Sequence, residues 1–160
     1  YSYELQIGEL YEDGFLTRLH PRDLAVVLTA LVYEPRKGAK PPPLNRHVKQ
    51  FKARLDKIVR TLHRVERRFG IFPPAKRFSF YLSDFVYAWF DGGDFAKLTR
   101  NLPFDEGELV RTLRMTVQVA RELLSFEDFD DAFRTNLRKV LDNINRDVVD
   151  AEKQRGCLHI

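Results

Sequence analysis

The chain has 160 residues, 44% of them hydrophobic and 31% charged, with 27 Lys or Arg against 23 Asp or Glu and a formal net charge of +4. That length suits one domain with a full core, and the composition is that of a folded soluble chain rather than a disordered or fibrous one. No segment supplies the roughly eighteen uninterrupted apolar residues of a membrane span, and a single cysteine, Cys157, excludes an intrachain disulfide framework and a Cys-x-x-Cys knuckle. A reducing, cytoplasmic setting is therefore expected. A start at Tyr1 with no signal-like segment is what a domain excised from a longer polypeptide would show.

Eight glycines and eight prolines fall in a few clusters, and between them apolar residues recur at three and four, so the expected fold is all-α. A short helix is expected over about residues 2–13, stopped by Gly14. A second starts at Pro21, where a missing N–H costs nothing, and is ended by Pro35, with Leu24, Val27, Leu28 and Leu31 as its inner stripe. The segment "RKGAKPPP" from Arg36 to Pro43 has no periodicity and reads as an extended connector. The longest helix is expected from Leu44 to Phe69, with Val48, Phe51, Leu55, Ile58, Leu62 and Val65 between them on one face. Residues 80–91, "FYLSDFVYAWFD", are apolar nearly all round and predict a helix enclosed by the others, ended at Gly92 and Gly93. Asp94 caps a short helix to about Thr99, Asp105 and Glu108 form a capping-box pattern before the next, and Ser125 with Asp128 repeat the device before a final helix over about 126–154. The expected architecture is a single compact bundle of about seven helices over 1–160.

The charge is uneven. Residues 44–69 hold nine Lys or Arg against Asp56 and Glu66. A stripe including Lys49, Lys52, Lys57, Arg60, Arg64 and Arg67 on the solvent side would attract a polyanion and release its counterions, which points to nucleic acid; a merely solvated helix face is the alternative.

The helix beginning at Asp105 has three parts with separate physical reasons. Its acidic head offsets the helix dipole and supplies caps, so Asp105 and Glu108 are structural. At about 100° per residue, Leu109, Val110, Leu113, Val117, Ala120 and Leu124 share an arc facing the bundle. Arg111, Arg114, Met115, Gln118 and Glu122 share the opposite arc, about one turn apart, and can meet successive units of a polymer. An ion pair with Asp147 or another acid is the competing use of Arg111 and Arg114, and Met115 is either a soft surface for a base or a bland exposed side chain.

Several chemistries lack residues to carry them. There is no G-x-x-x-x-G-K-[ST] phosphate loop, so ATP and Mg²⁺ have no site in this chain, and no serine nucleophile elbow, so the chain alone is expected to be non-catalytic. "HRVE" (His63 to Glu66) is a single pair where a bundle metal site needs several, His20, His47 and His159 fall in loops or at the end, and "DGGD" (Asp91 to Asp94) reads as a helix stop and cap, so no metal is expected.

The segments "LVYEPR" (31–36), "WFDGGDF" (89–95), "EGELVRTLR" (106–114) and "INRDVV" (144–149) occur in one order. Together they resemble the DSHCT domain, the C-terminal helical bundle of superkiller and exosome-type DEAD/DEAH-box ATP-dependent RNA helicases, over about residues 3–154. The resemblance implies that the chain is the C-terminal part of a larger helicase whose RecA-like ATPase domains bind ATP and Mg²⁺. It further implies that the helix at 105–124 is a ratchet helix touching single-stranded RNA or DNA through Arg111, Arg114 and Gln118. The family pattern has a basic pair after the first arginine, and Met115 replaces its second member. Such a protein would be a cytoplasmic monomer without membrane contact. Two other classes fit the residues: a helix-turn-helix DNA binder built on "DFAKLTRNLPFDEGELVRTLR", and a protein-interaction bundle docking an acidic partner on its basic helix.

Overall fold

The computed structural model describes residues 2–68 and 78–150, without the side chains of residues 2–5, 62, 63 and 65–67. Among the described residues there are seven α-helices, two single 3₁₀ turns and no strand: α1 (Ser2–Glu12), α2 (Pro21–Val32), α3 (Arg46–Arg68), α4 (Ser83–Phe90), α5 (Phe95–Thr99), α6 (Glu106–Leu124) and α7 (Asp131–Ile144), with the turns at Leu16–Arg18 and Asp147–Val149. The all-helical expectation holds, and the first six helices start and stop within a few residues of their sequence signals.

The core lies between α2, α4, α6 and α7, which pack on one another, while α3 sits outside them against α1. The helix enclosed on all sides is α2, not α4: every residue from Asp23 to Val32 is buried, whereas Tyr87, Ala88 and Phe90 of α4 are half-exposed. The four-residue stripe expected for α2 is thus too narrow. Alanines at 25 and 30 and Thr29 line the sides where neighbouring helices come close, and small side chains make such approaches possible.

The expected final helix is two pieces. Phe126 to Asp130 form the turn after α6, Asp130 rather than Ser125 or Asp128 caps α7 by accepting from the Phe133 amide at 2.8 Å, and Ser125 closes α6. α7 then stops at Ile144 because Arg146 turns inward. Its guanidinium lies 3.4 Å from the centroid of the Trp89 ring and donates to the Trp89 carbonyl at 2.6 Å and the Gly93 carbonyl at 2.8 Å. The Trp89 indole N–H donates in return to the Ile144 carbonyl at 2.9 Å. The backbone that permits this places Asp147 at φ 48°, and its carboxylate takes a hydrogen bond from Arg146 at 3.0 Å. Gly93 admits no side chain, since a Cβ there would stand 2.9 Å from the Ala88 carbonyl oxygen and 2.7 Å from Leu98. "DGGD" is a stop and a cap as expected, with Asp94 accepting from the Lys97 amide, and Asp91 adds a bidentate pair to Arg22 at 2.8 and 2.7 Å.

α2, α3 and α4 are joined by one polar cluster. The buried Asp23 carboxylate accepts from the Tyr87 hydroxyl and meets His47 Nε2 at 2.9 Å. His47 is therefore a residue of α3, not of a loop. Burial, and then the hydrogen bond to Asp23, hold the Tyr87 phenol well above its ordinary value.

Two outcomes follow. Arg146→Met removes the charged donors from two part-buried carbonyls and the cation from the Trp89 ring, and is expected to cost about 2–4 kcal/mol in urea unfolding, near the upper end for single substitutions. Below pH about 10 native and unfolded chains both hold the Tyr87 proton; above it the unfolded chain ionises first, so stability falls as pH rises. Tyr87→Phe should flatten part of that fall, read as the difference in unfolding free energy between the two proteins at pH 8 to 11.

Candidate nucleic-acid interface

α6 begins where its sequence says it should. Asp105 accepts from the Glu108 amide at 3.3 Å, satisfying one of the free N–H groups of the first turn. Glu108 does not complete a reciprocal box: it is buried, and its carboxylate lies 3.6 Å from Arg36. Both acids are structural, as read from the sequence.

The buried side of α6 is broader than a leucine and valine arc. Leu109, Leu113, Val117 and Ala120 are buried as expected, but so are Thr112, Thr116, Val119 and Leu123, while Val110 and Leu124 are only half-buried. α6 is held between α2 and α7, so two adjoining faces are covered. Threonine hydroxyls tolerate this because each donates to the carbonyl one turn back, Thr112 to Glu108 at 2.8 Å and Thr116 to Thr112 at 3.0 Å. Thr116 also meets the Thr29 hydroxyl of α2 at 3.1 Å.

What remains outside is a narrow stripe. Arg111, Met115 and Gln118 are exposed, with Met115 at 44% one of two large hydrophobic side chains so open among the described residues. Gln118 donates to the half-buried Glu122 at 3.3 Å. Arg111 makes no ion pair or hydrogen bond among the described residues.

Arg114 is differently placed. It is half-buried and its fork donates to two backbone carbonyls, Nε to Val149 and Nη2 to Val148, both at 3.0 Å. Among the described residues Asp147, weighed from the sequence as an ion-pair partner for the arginines of α6, pairs instead with Arg146 at 3.0 Å. At the head of α6, Arg111 and Arg114 border an open cleft of about 580 Å³ with Phe95, Glu106, Gly107, Val110 and Val148. The cleft offers an apolar wall, a ring and cationic groups at its rim.

On α3, Lys49, Lys57, Arg60 and Arg64 are exposed. Lys52 is half-buried and pairs with Asp56 at 2.8 Å, which removes it from the free set. The side chains of Arg67, His63 and Glu66 lie outside the described residues. Among the described residues no three His, Cys, Asp or Glu side chains converge on a point that would hold a metal ion, and no helix is long and apolar enough to cross a membrane.

A model of the DSHCT (NUC185) domain matches residues 1–152. The chain belongs to the DSHCT family. It is 26% identical to the antiviral helicase SKI2 of Saccharomyces cerevisiae over 92% of its length. It is 27% identical to mRNA transport homolog 4 of Caenorhabditis elegans over 86% and 28% identical to superkiller complex protein 2 of Mus musculus over 76%. The chain spans only 12%, 14% and 10% of these three relatives.

The four segments that carry the DSHCT resemblance prove to be tied to one another in space. "LVYEPR" meets "EGELVRTLR" through Arg36 and Glu108, "EGELVRTLR" meets "INRDVV" through Arg114, and "INRDVV" meets "WFDGGDF" through Arg146. The helix-turn-helix reading fares badly in this DSHCT bundle, because α6 is covered by α2 and α7 on two faces and has only a stripe to offer a groove. Sequence reasoning missed Phe95 at the cleft, the exposed Arg121 one turn beyond Gln118, and Phe126, 43% exposed just past α6. Only the three-residue step from Gln118 to Arg121 was available as a signal.

Substitution separates the two arginines. Arg114→Gln, which strands the Val148 and Val149 carbonyls, is expected to lower stability by about 1–3 kcal/mol, whereas Arg111→Gln should change it by less than about 0.5 kcal/mol, both read by denaturant unfolding.

Proposed function

We propose that this chain is the accessory domain of an ATP-dependent helicase and that the outer stripe of α6 touches single-stranded RNA or DNA as it passes the motor. The observation that carries the reading is the exposed Arg111 at the mouth of the cleft, unpaired among the described residues and followed along one stripe by Met115 and Gln118 on a helix whose opposite side is packed into the core. Membership in the DSHCT family and similarity to the antiviral helicase SKI2 and to superkiller complex protein 2 support the setting.

The chemistry of the stripe suits a strand read with little sequence preference. Arg111 offers a forked cation to a phosphate, Gln118 an amide to sugar or base edges, and Met115 a polarisable flat to a base face. Phe95 gives the cleft a ring against which a base can lie. Glu122, as an acceptor only, holds the Gln118 amide in place rather than meeting phosphate. Arg114 braces the rim of the cleft through its two carbonyl bonds. The carrying polypeptide supplies the RecA-like ATPase domains that bind ATP and Mg²⁺; this chain supplies the grip.

The combined change Arg111→Glu and Gln118→Ala in the helicase that carries the domain is expected to lower single-strand affinity and unwinding about tenfold or more, equivalent to about 1.4 kcal/mol or more, with the helical circular dichroism intact. Unwinding at the parental rate by that folded variant would remove the α6 stripe from the strand path.

A further inference from the structure

α3 has two unlike sides. Val48, Phe51, Leu55 and Val59 are buried toward α1 and Phe80. On the far side, at about 100° per residue, Arg46, Lys49, Lys57, Arg60, Arg64 and Arg68 fall within an arc of about 100°, and all six are exposed. The nearby acids serve other cations: Asp56 pairs with Lys52 at 2.8 Å and Asp13 with Arg54 at 2.9 Å. Glu9 and Glu12 of α1 face the same cleft as Lys57, so the α1 side of the helix is partly neutralised. Arg46, Lys49, Arg60, Arg64 and Arg68 make no ion pair among the described residues.

This ridge spans about 33 Å at 1.5 Å per residue. It carries no ring: the two widely exposed large hydrophobic side chains among the described residues, Met115 and Phe126, belong to α6 and the turn after it. A flexible single strand is held by stacking its bases on aromatic rings as well as by charge, and the ridge positions of α3 carry none; among the described residues the exposed ring of α3, His47, lies off the ridge and is engaged with Asp23. A duplex hides its bases and presents a stiff row of phosphates, about one charge per 1.7 Å of axis, which suits a stiff row of cations.

We propose that the outer ridge of α3 docks the phosphate backbone of double-stranded nucleic acid, as a contact separate from the α6 stripe and independent of it. The ridge gives affinity without sequence preference. Its free energy comes mainly from counterions released by the duplex, so the contact weakens steeply with salt.

The test is fluorescence anisotropy with the 160-residue chain and two probes, a blunt RNA duplex of about two helical turns and an unstructured oligouridine. The triple change Lys49→Gln, Arg60→Gln and Arg64→Gln is expected to weaken duplex binding about tenfold or more and to reduce the slope of log affinity against log salt by about 3. Oligouridine binding should change by less than about twofold, while Arg111→Gln should do the reverse, weakening oligouridine and sparing the duplex. An unchanged duplex affinity and salt slope in a triple variant that melts like the parent would overturn the assignment. So would equal competition by polyglutamate at matched charge, which would hand the ridge to an acidic protein. If the triple variant does not fold, Arg64→Gln alone decides by a slope change of about 1 or none.

Discussion

The stack of the Arg146 guanidinium on the Trp89 indole ties together parts of the chain that local sequence leaves independent. Trp89 lies in the last turn of α4, Gly93 lies between α4 and α5, and Ile144 ends α7; one planar cation covers the ring and donates to carbonyls of the first two, while the ring N–H satisfies the third. An arginine suits this place because its charge stays fixed, its plane matches the ring and its donors form a fork. A lysine would have the charge without the shape. Once Arg146 is drawn inward the chain must turn at Asp147, and that turn brings the carbonyls of Val148 and Val149 within reach of Arg114. The Val148 side of the α6 cleft is thus set by a contact that Arg146 makes two residues earlier in the chain.

Much of the fold was legible because helices announce their ends locally. Gly14, Pro21, Asp94 and Asp105 act within a turn of themselves, and each marks a boundary where the sequence puts it. The failure at the last helix has a physical origin: Phe129, Phe133 and Leu137 keep a helical period straight through Asp130, yet the cap belongs to Asp130 and Phe129 packs sideways on Tyr11 at 4.7 Å. At its other end the period also continues to Val148, but Arg146 leaves the helix to cover the Trp89 ring. Neither competing partner lies near in sequence.

The candidate interface was half legible. Exposure of Arg111, Met115 and Gln118 follows from helical spacing alone, whereas the engagement of Arg114 depends on a 3₁₀ turn about 35 residues away that no periodicity indicates. Lys52 fell out of the basic set through a partner four residues on, a pairing the spacing does contain. The buried threonines were missed because polarity reads as exposure, and only the hydroxyl bonds to preceding carbonyls reconcile the two.

Those threonines also fix the azimuth of α6. Rolling the helix by one residue about its axis, roughly 100°, would pull the Thr116 hydroxyl from Thr29 and drive the Arg111 charge toward the apolar surface of its neighbours. The helix therefore has one permitted rotational phase. Positions 111, 115 and 118 behave as marks on a ruler that cannot turn in its mount, so any polymer meeting them encounters the same spacing on every pass.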